Sequence, residues 1–107
     1  VEKQDALAAL AALAHETRLD VFRLLVRAGA EGIAAGAIAE ALGVPSATLS
    51  FHLKELKNAG VVGSRRQGRS LIYRADFAAM NALLRFLTEN CCQGAAATPS
   101  KAGTRRR

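Results

Sequence analysis

The stretch "AIAEALGVPSATLSFHLKELKNAG", residues 37–60, leaves the chain few ways to fold. Two runs with helical spacing flank Gly43, Val44 and Pro45. Glycine accepts the positive φ of a sharp turn, and proline marks a break between two helices. Ala39 is small enough for two helix axes to cross closely, and Leu49, Leu53 and Leu56 form one apolar row at helical spacing. These features predict two short helices joined by a tight turn, a helix-turn-helix. On this stretch alone, an ordinary helical hairpin is the competing reading.

The flanking residues extend the pattern. In "EKQDALAALAALA" the leucines fall at 7, 10 and 13, which predicts an Ala-rich helix with one narrow apolar seam. "ETRLDVFRLLVRAG" predicts a core helix with Leu19, Phe22, Leu25 and Val26 on one face, Arg23 and Arg27 off it, and Gly29 as its stop. After Gly60 the period changes to that of strands. "VVGSRR" and "SLIYR" read as a hairpin joined around "QGR", its tip carrying Arg65, Arg66, Gln67 and Arg69. A hairpin of this kind directly after a helix-turn-helix is a wing. "DFAAMNALLRFLTEN" returns to the helical period, with Asp76 as cap and Phe77, Met80, Leu84 and Leu87 on one stripe. That stripe is either plain core or, paired with the seam of the first helix, a dimer interface.

The expected fold is therefore mainly α with a small β-hairpin (α+β), a winged helix-turn-helix. Residues 1–92 would form one domain for DNA binding and dimerisation, and 93–107 a flexible basic tail ending in "RRR". The tail either adds nonspecific DNA affinity or has no role.

The net charge of +6 is unevenly spread. Residues 1–42 hold four basic and six acidic groups (−2), 43–74 six and one (+5), 75–100 one and two (−1), and 101–107 four and none (+4). The ordered excess lies in the block that holds the second helix of the helix-turn-helix and the wing, and such a block attracts phosphate. A solvated basic face with no partner is the other reading of charge alone.

With Leu49, Leu53 and Leu56 inward, the opposite side of the helix presents Ala47, Ser50, Phe51, Lys54 and Asn58. In a major groove Phe51 would pack on a thymine methyl, Ser50 would bond a base edge, and Lys54 would meet a phosphate or a guanine. The competing reading has Phe51 capping a hydrophobic cluster of its own protein. Ser46 and Thr48, at the helix start, would bring a hydroxyl or a backbone N–H to a phosphate. The wing residues Arg65, Arg66, Gln67 and Arg69 suit an adjacent minor groove. His52, on the flank of the helix, reads as a hydrogen-bonded structural residue and is assigned no metal. One module makes few base contacts, so a two-fold dimer over an inverted repeat of double-stranded promoter DNA is expected.

Other classes have little support. There is no Gly-rich phosphate loop, no Ser/His/Asp set in a recognisable frame, and no C-x-x-C pair, so no enzyme is expected. A winged helix that binds protein is the stronger rival. The apolar run at residues 6–14 is short and preceded by Glu2 and Asp5, a poor signal peptide and too short to span a bilayer, so a cytoplasmic protein without membrane contact is expected.

The two cysteines are neighbours, Cys91 and Cys92. Adjacent Cα atoms about 3.8 Å apart lie closer than the usual disulfide range, which disfavours a structural bridge. Zinc in a closed site takes about four ligands, which this pair cannot supply without nearby histidines. They remain small hydrophobes at a helix end, a redox-responsive pair, or ligands for a soft ion.

"ALAHETRLDVFRLL", "AIAEALGVPSATLSFHLKELKNAGVVGSRRQGRSLIYR" and "FLTENCC", which together span most of residues 10–92, resemble the ArsR/SmtB family of bacterial metal-responsive winged-helix repressors. The resemblance implies a homodimer, joined through its first and last helices, that leaves its promoter when an inducer binds. Members with a cysteine-x-cysteine motif carry it in the first helix of the helix-turn-helix, and residues 34–42 contain no cysteine. Members with zinc sites on the last helix use Asp/His sets, and no histidine follows Asp76. What remains is similar to the subgroup that senses trivalent arsenic through a vicinal pair, matched by Cys91 and Cys92; the third cysteine frequent in that subgroup has no counterpart in residues 93–107. The implied inducer is arsenite or antimonite, with a methylated trivalent arsenical (methylarsenite) as the alternative that needs only two thiols. No resident cofactor is implied.

Overall fold

The computed structural model describes residues 2–94. Within them run α1 (Lys3–Leu13), α2 (Glu16–Ala28), a 3-10 turn (Gly29–Glu31), β1 (Ile33–Ala34), α3 (Ala35–Leu42), α4 (Ser46–Asn58), β2 (Val62–Gln67), β3 (Ser70–Ala75) and α5 (Phe77–Thr88). This is the expected winged helix-turn-helix, with one strand added. Most of the expected basic tail, residues 95–107, lies outside the described residues.

The turn between α3 and α4 forms as its composition requires: Gly43 closes α3 in the left-handed region, at φ 65° and ψ 35°. Leu49, Leu53 and Leu56 are 2%, 1% and 0% exposed, and they pack with Val21, Phe22 and Leu25 of α2 and with Ile38 and Ala39 of α3 in the single described core. Burying each leucine contributes about 1.5–3 kcal/mol, so the rotational setting of α4 is fixed by its own apolar row.

α2 departs from expectation on one side. Leu19 is 44% exposed, whereas Val21 is fully buried. At 100° per residue Leu19 lies about 120° around the helix from Leu25, the centre of the buried arc, and Val21 lies within it. In α1 the expected seam is displaced. Ala6, Ala9 and Ala12 are the buried positions, while Leu7 and Leu10 remain 51% and 39% exposed and Leu13 is only partly covered. α1 packs against α2, α4 and α5, and alanine permits the close approach that leucine would block. In α5 the expected stripe divides: Phe77 and Met80 pack on the core together with Leu83, but Leu84 and Leu87 stay 53% and 54% exposed. Asp76 does cap this helix, its Oδ1 accepting from the backbone N–H of Ala79 at 2.9 Å.

The strands form one antiparallel sheet in the order β1-β3-β2. β2 and β3 pair from Val62 opposite Ala75 to Gln67 opposite Ser70. β1, only two residues long, pairs Ile33 with Tyr73 and Ala34 with Ile72, tying the wing to the entrance of α3. Gly32 makes this possible. A Cβ at Gly32, whose φ is 75°, would collide with the carbonyl oxygen of Tyr73. Gly36, by contrast, has nothing within 4 Å of its Cβ position. Gly36→Ala should therefore raise stability by about 0.4–1 kcal/mol, and Gly32→Ala should lower it by more than that. Urea denaturation of the two variants checks the opposite signs.

Candidate nucleic-acid interface

α4 begins at Ser46 with no side chain capping it, and the first donor tied back into the turn is the N–H of Leu49, which reaches the carbonyl of Pro45 at 2.9 Å. The preceding N–H groups point out of the helix end and are ready to receive an anion. Ser46 and Thr48 lie in this first turn, both exposed. Ala47, Ser50, Lys54 and Asn58 are exposed as well, and Phe51 is 55% exposed despite its size. Ala47, Ser50, Phe51, Lys54 and Asn58 thus form a solvent-facing strip away from the leucine row, with Thr48 on its flank, whereas Ser46, three residues before Leu49, is exposed at the helix start on the leucine side.

The wing residues divide. Its two-residue tip is Gly68 and Arg69, and Gly68 takes φ 64° to close the turn. Arg66 and Gln67 end β2 and are exposed beside that tip. Arg65 lies further back in the strand than the sequence suggested: its Nη2 donates to the carbonyl of Glu31 at 3.1 Å and to Gln67 Oε1 at 3.4 Å. Strand alternation puts Arg65 and Gln67 on one face and Arg66 on the other. Arg66 and Arg69 line a groove with Ala34, Ala35, Ser70 and Leu71, between the wing and the start of α3. The base of the wing is braced to the helix by Lys57, whose Nζ donates to Ser64 Oγ at 2.8 Å.

Sequence reasoning missed a polar cluster behind the strip. His52 is only 7% exposed, and its Nδ1 accepts from Arg18 Nε of α2 at 3.1 Å. The His15 ring lies 4.7 Å from that of His52, and His15 Nδ1 in turn accepts from the N–H of Thr17 at 3.2 Å, capping α2. Arg18 stands 5.6 Å from the Phe51 ring centre, and the His52 ring meets Phe51 edge-on at 5.7 Å. The structural role expected of His52 matches these contacts. Burial, then the neighbouring His15 and Arg18, push its pKa below the ordinary value. The signal in the sequence was the run His15, Glu16, Thr17, Arg18 at the start of a helix, which carries no meaning until its distance to position 52 is known.

Cys91 and Cys92 follow α5 rather than ending it. The helix stops at Thr88, the N–H of Cys91 donates to the Thr88 carbonyl at 2.9 Å, and Asn90 and Cys92 take φ of 61° and 67°. Both thiols are exposed and free, with sulfurs 3.1 Å apart. Hydrogen bonding with Cys92 raises the Cys91 thiol above its ordinary pKa, and the like charge of Cys92 and partial desolvation add to this. A ligand that binds sulfur as thiolate must therefore displace protons. Among the described residues no three His, Cys, Asp or Glu side chains group to hold a metal ion, and no helix is long and apolar enough to cross a membrane.

A helix held by its apolar row, exposing a strip with a basic wing beside it, defines a winged helix-turn-helix DNA-binding protein. The helix-turn-helix domain family matches residues 13–65. An ArsR-like transcriptional regulator from Rhodococcus sp. RHA1 is 32% identical, with a TM-score of 0.70 and coverage of 78% of this chain and 76% of that one. The homodimeric winged helix-turn-helix DNA-binding domain of a possible ArsR-family regulator from Mycobacterium bovis is 29% identical, with a TM-score of 0.65 and coverage of 90% and 89%. YgaV, an HTH-type transcriptional regulator of Escherichia coli (strain K12), is 28% identical over 89 residues, 83% of this chain and 88% of that protein. The chain belongs to the ArsR family of transcriptional regulators.

Two outcomes are expected of this surface. Lys54→Ala should weaken DNA binding and flatten the dependence of log K on log salt by about 0.9 for each phosphate the lysine had neutralised, read from fluorescence anisotropy. For His52 the lowered folded pKa means that the unfolded chain takes up the proton first. Its contribution to stability is complete above about pH 6.5 and is lost as pH falls through the lower folded value. Melting curves should show this acid slope in the wild type and a smaller one in His52→Gln.

Proposed function

We propose that the protein is a homodimeric repressor that occupies an inverted-repeat promoter and is released when trivalent arsenic or antimony binds Cys91 and Cys92. The observation that carries this reading is the pair of exposed thiols, 3.1 Å apart, directly after α5. Thiolates are soft donors and select thiophilic ions. A closed zinc site takes about four ligands, which this pair cannot supply, whereas the three-coordinate pyramid of trivalent arsenic needs only one ligand more than the two neighbouring thiols.

Two sulfurs fill two of the three positions. Hydroxide or glutathione completes the set for inorganic arsenite. In a monomethylated arsenical the carbon already fills the third place, and the count of two thiols favours that inducer as the second reading.

The same helix supports the link to DNA. α1 and α5 lie against each other and leave Leu7, Leu10, Leu84 and Leu87 in water, an apolar surface that a second copy would cover. The M. bovis relative is homodimeric. A two-fold pair presents its recognition helices to successive major grooves, roughly 34 Å apart, and so reads an inverted repeat. Binding at Cys91 and Cys92 reshapes the turn from Thr88 to Cys92, one turn of helix beyond Leu84 and Leu87, and shifts the subunit contact. It does so only to the extent that the inducer prefers the DNA-free arrangement.

The test uses a labelled fragment of the protein's own promoter with a non-thiol reductant present, so that oxidation plays no part. Arsenite or methylarsenite should release the wild type and leave Cys91→Ser and Cys92→Ser bound. Release of both serine variants would put the inducer site elsewhere.

A further inference from the structure

Arg18 belongs to α2, outside the helix-turn-helix and the wing, yet its guanidinium sits at the margin of the reading strip. Its Nε donates to His52 Nδ1, and its central carbon lies 5.6 Å from the centre of the Phe51 ring, within the range of a cation–π contact. A guanidinium has five donors in a fixed fork. With Nε held by His52, the fork cannot swing freely, and among the described residues neither Nη makes a hydrogen bond. Arg18 also lines a cleft with Glu55 and Asn58 of α4. Two charged donors are thus held in place beside the exposed ring of a groove-reading helix, where the flanking strand of a duplex carries its phosphates.

We propose that Arg18 is a DNA-contacting residue: His52 holds it so that its Nη groups clamp a backbone phosphate at the edge of the major groove, while the guanidinium fixes Phe51 against the base edges. Arginine suits this role because it meets a phosphate oxygen pair through two parallel bonds. His52 is then a positioning residue, acting through Arg18 and not touching DNA. The arrangement explains why a polar side chain is buried in the one helix whose outward face must be set with accuracy: a neutral histidine gives Arg18 an acceptor without cancelling its charge.

The inference rests on the reading of the protein as an operator-binding regulator, and the experiment separates the two. Binding to the promoter fragment is titrated between about 50 and 200 mM salt for wild type, Arg18→Gln and Arg18→Lys. Arg18→Gln should bind at least tenfold more weakly and show a salt slope shallower by about 0.9 for each phosphate that Arg18 clamps, about 1.8 for a dimer. Arg18→Lys should keep most of the slope. A slope unchanged in a folded Arg18→Gln, however weak its binding, would make Arg18 a purely structural residue and overturn the proposal.

Should Arg18→Gln fail to fold, duplexes carrying single neutral methylphosphonates decide the matter with wild type and Arg18→Lys. Neutralising one flanking phosphate should weaken the wild type and affect the lysine variant less; an equal effect at every position would overturn the proposal. Failure of the wild type to bind its promoter at any salt would instead sink the operator-binding reading itself.

Discussion

Burial of Leu49, Leu53 and Leu56 is the constraint on which the rest of the molecule depends. The three side chains leave α4 only one rotational setting against α2 and α3. Ser50, Phe51 and Lys54 are therefore held outward by apolar burial on the opposite side of the same helix. Polar contacts refine the setting from both flanks: Arg18 reaches His52 from α2, and Lys57 reaches Ser64 of β2. The reading helix and the wing consequently form one body. The short pairing of β1 with β3 adds the entrance of α3 to it.

A second division runs through α1 and α5. In α1 the small residues face the protomer and the leucines face away; in α5 the first half packs on the core and the second half does not. A helix whose larger apolar groups are left in water while its alanines are buried is built for two contacts, one of them beyond its own chain. This is the property that connects the thiol pair to the DNA-reading surface in the proposed mechanism, since Cys91 follows the uncovered end of α5.

Much of this architecture was legible in the sequence because it rests on local rules. The turn at Gly43, the leucine row of α4, the change of period after Gly60 and the Asp76 cap each need only neighbouring residues to be recognised. What was not legible depends on packing partners. Leucines 7, 10 and 13 and alanines 6, 9 and 12 have the same spacing, and only the closeness of α1 to its neighbours selects the alanines. Leu19 and Val21 lie about 160° apart on α2, on either side of Phe22, and only the packing of the neighbouring elements selects the arc that contains Val21. β1 is two residues long and has no period of its own. Arg65 read as a tip residue because charge clusters there, but the tip is the tight turn at Gly68, which leaves Arg65 within reach of Glu31. The Arg18–His52 contact joins residues 34 apart in the chain and could not be read from either.

The cysteine pair was legible as chemistry and less so as geometry. The sequence set it at the end of a helix; the structure sets it in the turns that follow, where the left-handed backbone at Asn90 and Cys92 accompanies sulfurs already close together. In the proposed mechanism the inducer meets a preformed dithiol and has no helix to unwind before it can bind. X-ray absorption at the arsenic edge on the arsenite-loaded protein, freed of other thiols, tests that claim most directly. One arsenic per chain with two sulfur neighbours is the expected result; arsenic coordinated by no sulfur, or bound equally by a protein in which both Cys91 and Cys92 are serine, would contradict it.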